Sequence, residues 1–224
     1  MTVLQALKMD RHIGRTFSVP PGSFSIVSLA SVALTLPNLD RAAYPAFRRY
    51  MGRVPSPLQR IGADHILNFI GIAGSALVEQ ARLRSITAHG PGPAHLTSVL
   101  WLLPLLVVVG VGEALHFPGQ VGLYYQEFPK ALRSTSTAMI ALCVGIGFYL
   151  STAVVDLVRR TTGWLPDNID TGRVDKVYWM LAVVGMINFC YYVVCARLYK
   201  YQNKNKEGVG SEASDTLSTK VEVL

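Results

Sequence analysis

Charge is scarce in this chain. Lys, Arg, Asp and Glu make up 16% of its 224 residues, against about 25% in an average soluble domain. The shortage is concentrated in the uncharged stretches 16–39, 85–112, 134–155 and 177–196. Cysteine is also rare. Cys143, Cys190 and Cys195 all fall in apolar stretches, which excludes a disulfide framework and any metal-ligand spacing, and they read as small apolar packing residues. Phosphate-cradling loop, nucleophile elbow and paired zinc spacing are all missing. That argues against an ATP-driven pump, and no cofactor is expected. The start, MTVLQALKMDRH, does not read as a signal peptide, because Lys8, Asp10 and Arg11 close a short apolar run. The net charge of +7 is spread over the segments between apolar runs, without one basic patch interleaved with aromatics. Nucleic acid is therefore rejected as a partner; basic loops beside an anionic lipid bilayer account for the charge.

What is present is apolar length. A helix needs roughly 20 mainly apolar residues to cross a bilayer. Several such runs in succession predict an all-α, multi-pass integral membrane protein. The helices are expected at about 23–48, 58–83, 97–125, 134–158 and 177–199, after a helical remnant in 1–10 and a loop broken by Pro20-Pro21. Ser23 reads as the N-cap of the first helix. The HGPGPAH segment closes a loop over 84–95. Pro104, Gly110, Gly112, Pro118, Gly119 and Gly122 predict a bent or broken third helix lining a cavity. Gly145 and Gly147, with Ala141 and Ser151, predict close packing of the fourth. Trp164 and the tyrosines of the last helices read as interfacial and packing residues. Residues 11–199 form the transmembrane bundle, and 200–224, polar and aperiodic, a disordered cytoplasmic tail. Asp40–Arg60, with five arginines against one acid, is the most basic connection and is placed on the cytoplasmic side.

Against this background Glu113 stands out. It ends the most apolar run of the chain, VLWLLPLLVVVGVG, and no charged residue lies between it and Arg84. A carboxylate there is costly unless protonated, paired or wetted, so it reads as a proton-moving or gating residue. The bland alternative is a structural Glu satisfied by neighbouring hydroxyls. His116 completes a single Glu-x-x-His pair; di-metal carboxylate sites need two such pairs and further acids, so His116 reads as a cavity or packing residue. Asp64 and Asn68, four apart, share a helix face with His65 beside them. That cluster is a gate candidate, or a wetted group near the helix end. Gln120, Tyr124 and Glu127 continue the third helix toward the cytoplasm as further cavity or gate candidates. If the helix continues past Glu127, Lys130 and Arg133 come within its reach.

Three stretches carry a resemblance. GEALHFPGQVGLYYQEFP (112–129), LRSTSTAM (132–139) and DTGRVDKVYWMLAVVGMINFCYYVVCARLYKY (170–201) resemble the plant nitrate/peptide transporter family. This is the plant branch of the proton-dependent oligopeptide transporters, within the major facilitator superfamily. TVLQALKMDRHIG (2–14) and PLQRIG (57–62) fit the same pattern, so the likeness runs in order over residues 2–203. The YYQEFP form is most similar to the subgroup that includes nitrate-excretion carriers.

The resemblance implies a partial major facilitator fold: the end of helix seven, followed by about five helices matching helices eight to twelve. It places the Glu-x-x-Glu-Arg proton-coupling motif in sequence that this chain does not contain. It matches Glu113 to an acidic residue that faces the central cavity and pairs with a Lys of the other half. It matches Asp40, Arg41, Arg48 and Arg49 to a cytoplasmic loop that helps lock one face. The implied function is secondary, proton-coupled transport of nitrate or another small anion or solute by alternating access, with protons and the missing N-terminal half, or a full-length relative, as partners. Passive efflux, or a truncated non-transporting product that associates with a complete relative, are the alternatives. An enzyme is not expected, and the plasma membrane is favoured over the vacuolar membrane.

Overall fold

The structure is a computed structural model that describes residues 5, 9, 12–13, 17–89, 98–165 and 172–199. Most of the helical remnant expected in 1–10, the Gly/Pro loop from residue 90 and the tail expected in 200–224 lie outside the described residues. The loop before the first helix carries a two-residue antiparallel ladder, β1 (His12–Ile13) with β2 (Phe17–Ser18), in the register His12↔Ser18. Apart from a single bridge residue at Ser98, everything else regular among the described residues is helical.

The first helix forms in segments. A 3-10 turn over Pro21–Ser23 leads into α1 (Phe24–Asn38), a π turn covers Leu39–Ala43, and α2 (Tyr44–Met51) follows without a gap. Pro45 has no N–H to return to the carbonyl one turn earlier, and a widened turn sits just before it. Ser23 does not cap α1: it is itself helical and its side chain makes no capping bond. The chain is already turning at Pro20, whose carbonyl accepts from Ser23 N–H at 3.0 Å. Gly52 ends α2 in the left-handed region at φ 70°, donating to Arg48 O.

α3 (Pro57–His89) opens on a capping box that the sequence reading overlooked. Gln59 N–H donates to Ser56 Oγ at 3.2 Å, and Ser56 N–H donates to Gln59 Oε1 at 3.0 Å. Pro57 follows the cap, where its lack of an N–H is harmless. The helix runs six residues past the expected end at Leu83. No glycine or proline intervenes before Gly90, and Thr87 Oγ1 bonds back to Leu83 O. At 33 residues and about 1.5 Å per residue, α3 outruns a hydrocarbon core of about 30 Å.

α4 is preceded by a 3-10 turn, Val99–Leu102, capped by Ser98 Oγ, and then runs unbroken over Leu103–Glu127. Pro104 sits in its first turn, and Pro118 lies inside it without ending it. The expected break is therefore absent. α5 (Arg133–Thr161) and α6 (Val174–Leu198) complete the bundle. Four helical stretches, from Pro57, Val99, Arg133 and Val174 onward, are long and apolar enough to cross a membrane. α1 alone has 15 residues and reaches spanning length only with the π turn and α2.

α4 is the hub. It packs most extensively on α3, takes α1 on its other side and touches α5 lightly, while α6 lies along α3. Two apolar clusters close one end: Met9, Phe24, Val99 and Leu102, and then Ala76, Val174 and Tyr178. The apolar surface of α5, including Leu142, Phe148 and Tyr149, points outward. Gly145 and Gly147, expected to seat a neighbouring helix, have open space where a side chain would begin, and Ala141 and Ser151 are exposed. Cys143, Cys190 and Cys195 are likewise exposed, not packed in a core.

Candidate functional site

The glycines of α4 explain its place. A Cβ on Gly110 would stand 2.6 Å from the carbonyl oxygen of Ser28 and 2.7 Å from Ser31 Cβ. A Cβ on Gly112 would stand 2.6 Å from Asp64 Oδ1. These positions, read as helix breakers in the sequence, are the contact surface on which α1 and α3 close. Small residues let two backbones approach in a membrane, where lipid already satisfies apolar side chains. The close approach brings polar atoms of different helices into bonding range.

Two hydroxyls of α1 face α4. Ser31 Oγ donates to Val107 O at 3.0 Å, and Ser28 Oγ lies 3.5 Å from Glu113 Oε2. Glu113 is half-buried. On the α3 side, Asp64 is buried and its Oδ2 lies 2.8 Å from His116 Nδ1. The ring nitrogen has no aligned hydrogen-bond acceptor there, so the contact is an ion pair by distance and depends on His116 being protonated. Asn68 Nδ2 donates to Asp64 Oδ1. The wetted helix-end alternative for Asp64 therefore fails: α4 covers it. His65 stacks at 4.8 Å on the ring of Tyr192 from α6, with the His116 ring 6.2 Å away. Tyr192 OH donates to Leu58 O. Polar side chains thus run from α1 through α4 and α3 to α6. Among the described residues no three His, Cys, Asp or Glu side chains converge as a metal set.

The remaining candidates lie apart from this group. Gln120 is half-buried one turn beyond His116, and Tyr124 follows a turn later, its ring 5.6 Å from Phe128. α4 ends at Glu127, and the chain is extended at Phe128. The continuous helix that would have brought Lys130 and Arg133 alongside Glu127 does not form. The Arg133 guanidinium lies 5.6 Å over the Tyr125 ring. Asp40, Arg48 and Arg49 line an open groove of about 550 Å³ with Tyr44, Pro45 and Val54. Arg41 sits in the π turn beside Asp40.

One charged pair was missed by sequence reasoning. Glu79 and Arg82 are essentially sealed from solvent inside the described chain, with Arg82 Nη2 2.6 Å from Glu79 Oε1. Their signal was available: opposite charges three apart in a long helix.

A protein-family model described as the POT family matches residues 1–173. The chain belongs to the POT family. It is 47% identical over 206 residues to the Arabidopsis thaliana protein NRT1/PTR FAMILY 2.6, and 48% identical to NRT1/PTR FAMILY 2.7 of the same plant. Each alignment covers 91% of this chain and 37% of the relative, so the chain spans little more than a third of these relatives' length. A crystal structure titled as an auto-inhibited POT family peptide transporter superposes with a TM-score of 0.63 at 18% identity, covering 89% of this chain and 36% of that one. At that identity the match concerns the fold, which is the transporter fold of the major facilitator type. The chain is thus a multi-pass integral membrane protein of a transporter family, helical in the spans among its described residues.

Proposed function

We propose that this chain forms one wall of the cavity of a proton-coupled secondary transporter for nitrate or another small anion, working by alternating access. The observation that carries the reading is Glu113, the one acid of α4 above its cytoplasmic end, held against Ser28 of α1 beside the Asp64–His116 pair. A carboxyl so placed can exchange its proton for a cationic partner as the two halves of a carrier rock. Asp64, Asn68 and His116 support it from α3 and α4, with Gln120, Tyr124 and Glu127 below. The cytoplasmic lock expected as a loop is helical here, with Asp40 and Arg41 in the π turn and Arg48 and Arg49 on α2. The plasma membrane is the expected site. The test is Glu113→Gln in a complete carrier, made by joining this chain to the N-terminal part of an Arabidopsis relative. Proton-driven uptake is expected to fall by about a hundredfold or more, the range of a lost acid–base group, with surface expression retained. Wild-type proton coupling in that variant refutes the role.

A second reading has its own support. The outer face of α5 is bare, and the chain spans 37% of its relatives. A chain acting alone in that form would associate with a complete relative and not transport. Anion flux into liposomes containing only the 224-residue chain would refute it. Pure downhill anion efflux without proton movement in the complete carrier would replace symport by passive efflux.

A further inference from the structure

We propose that Asp64 and His116 form a second titratable site, at the contact of α3 with α4, whose charge sets the pH range in which Glu113 exchanges its proton. The inference rests on the proton-coupling role of Glu113 only for its physiological meaning; the electrostatic link can be measured without transport.

The geometry carries it. Asp64 is 5% exposed as a residue, and His116 Nδ1 lies 2.8 Å from its Oδ2. Asn68 occupies Asp64 Oδ1, and the missing side chain at Gly112 admits the carboxylate to the surface of α4. Glu113 lies three residues before His116 on the same helix, so their side chains are neighbours at about 5–6 Å between Cβ atoms. Three groups able to hold protons thus lie side by side where α3 meets α4, with Asp64 buried and 29% of the His116 side chain exposed.

The other charges around them are few. From α3 they are Asp64 itself, the His65 ring 6.2 Å away, and Arg60, which is occupied over the Tyr44 ring at 4.2 Å and by the carbonyl of Pro55. α1 presents Ser28 and Ser31 and has no ionisable residue over Phe24–Asn38. α6 presents Tyr192 behind His65. α5 has its charged residues at its ends, with Arg133 directed to Tyr125. His116 is therefore the nearest group able to offset the charge of Asp64. Protonated, it makes the pair neutral. Neutral, it leaves a bare carboxylate facing Glu113. An imidazole changes charge in the range where such a switch is useful.

The test uses the 224-residue chain reconstituted in phosphatidylcholine bilayers, with ¹³C-labelled Glu and Asp and ¹⁵N-labelled His followed by solid-state NMR across a pH series. His116→Gln is expected to move the Glu113 midpoint to more alkaline pH by about one unit, the size of one neighbouring charge near a protein surface. Adding Asp64→Asn to His116→Gln removes that charge and is expected to return the midpoint close to wild type. Asp64→Asn alone is expected to move the His116 midpoint toward acid, which keeps the test open should His116→Gln fail to fold. An unmoved Glu113 midpoint in His116→Gln, equal shifts in the single and double variants, or an unmoved His116 midpoint in Asp64→Asn overturns the proposal. A merely structural pair would alter stability without this reversal. In the complete carrier, a pH profile of uptake that ignores Glu113→Gln defeats the coupling role while leaving the NMR result standing. A profile that follows Glu113→Gln but ignores His116→Gln defeats the tuning alone.

Discussion

Replacing single glycines by alanine should grade the bundle by what each new methyl group meets. In a helix the exchange itself favours alanine by about 0.5–1 kcal/mol. At Gly145 the methyl enters open space, so that gain should appear undiminished. At Gly112 it would lie 2.6 Å from Asp64 Oδ1. The carboxylate can swing away only by loosening its contacts with His116 and Asn68, so overpacking of about 1–3 kcal/mol outweighs the helical gain. At Gly110 the obstacle is the backbone oxygen of Ser28 at 2.6 Å together with Ser31 Cβ. No rotamer relieves that clash, so α1 must move away, and the cost belongs at the upper end of the same range or beyond it. Its retreat would also stretch the bonds from Ser31 to Val107 O and from Ser28 to Glu113. The expected order of stability is Gly145→Ala, wild type, Gly112→Ala, Gly110→Ala. Denaturant unfolding in mixed micelles, followed by tryptophan fluorescence, measures it. If Gly110→Ala unfolds at the same denaturant concentration as Gly145→Ala, α1 and α4 do not approach as described and the α4 hub is wrong.

Two further outcomes concern charge and hydrogen bonding. Glu79→Gln leaves Arg82 charged in a sealed site and should cost about 3–5 kcal/mol, whereas Glu79→Leu with Arg82→Met should recover most of it, because apolar packing substitutes for a buried pair; equal unfolding midpoints for the two variants would show that the pair is not enclosed. Tyr192→Phe removes only the donor to Leu58 O and should destabilise by about 1 kcal/mol or less, as interhelical bonds in membranes do; a much larger loss in the same unfolding assay would mean that the hydroxyl holds more than the α3–α6 contact.

The helical, multi-pass character was legible because a bilayer imposes a length that hydropathy records directly, and four of the five expected helices have that length among the described residues. The family was legible from runs such as GEALHFPGQVGLYYQEFP, confirmed by the match to the POT family over residues 1–173. The use of glycine was not. Gly110 and Gly112 and Gly145 and Gly147 look alike as small-residue pairs, yet the first pair seats α1 and α3 while the second meets nothing. A local sequence does not state which helix face has a neighbour. Of the bend or break expected at Pro118, the break does not occur for a related reason: a missing donor inside a membrane helix is tolerated when packing holds both sides. The π turn at Leu39–Ala43 and the capping box at Ser56 both had local signals, Pro45 in one case and the Ser-x-x-Gln spacing in the other. The pairing of Asp64 with His116 had none, since the residues lie 52 positions apart on different helices.

The polar side chains of this bundle divide by where they find partners, and the division bears on function. Thr137, Thr152 and Thr161 of α5 donate to carbonyls of their own helix, Arg133, Phe148 and Leu157. Such a hydroxyl is satisfied whatever faces it, so it permits an exposed helix surface in lipid or beside another protein and specifies neither. Ser28, Ser31, Asp64, His116 and Tyr192 instead reach across to a second helix. A rotation or translation of one helix breaks each of those contacts and leaves a polar group that lipid cannot satisfy. Among them, only the group formed by Glu113, Asp64 and His116 can answer such a break by moving a proton instead of leaving a charge uncompensated. On the proposed role of Glu113, helix movement and protonation would be tied together at this group and decoupled along α5, and a perturbation that separates α3 from α4 should be felt at Glu113 before it is felt anywhere on α5.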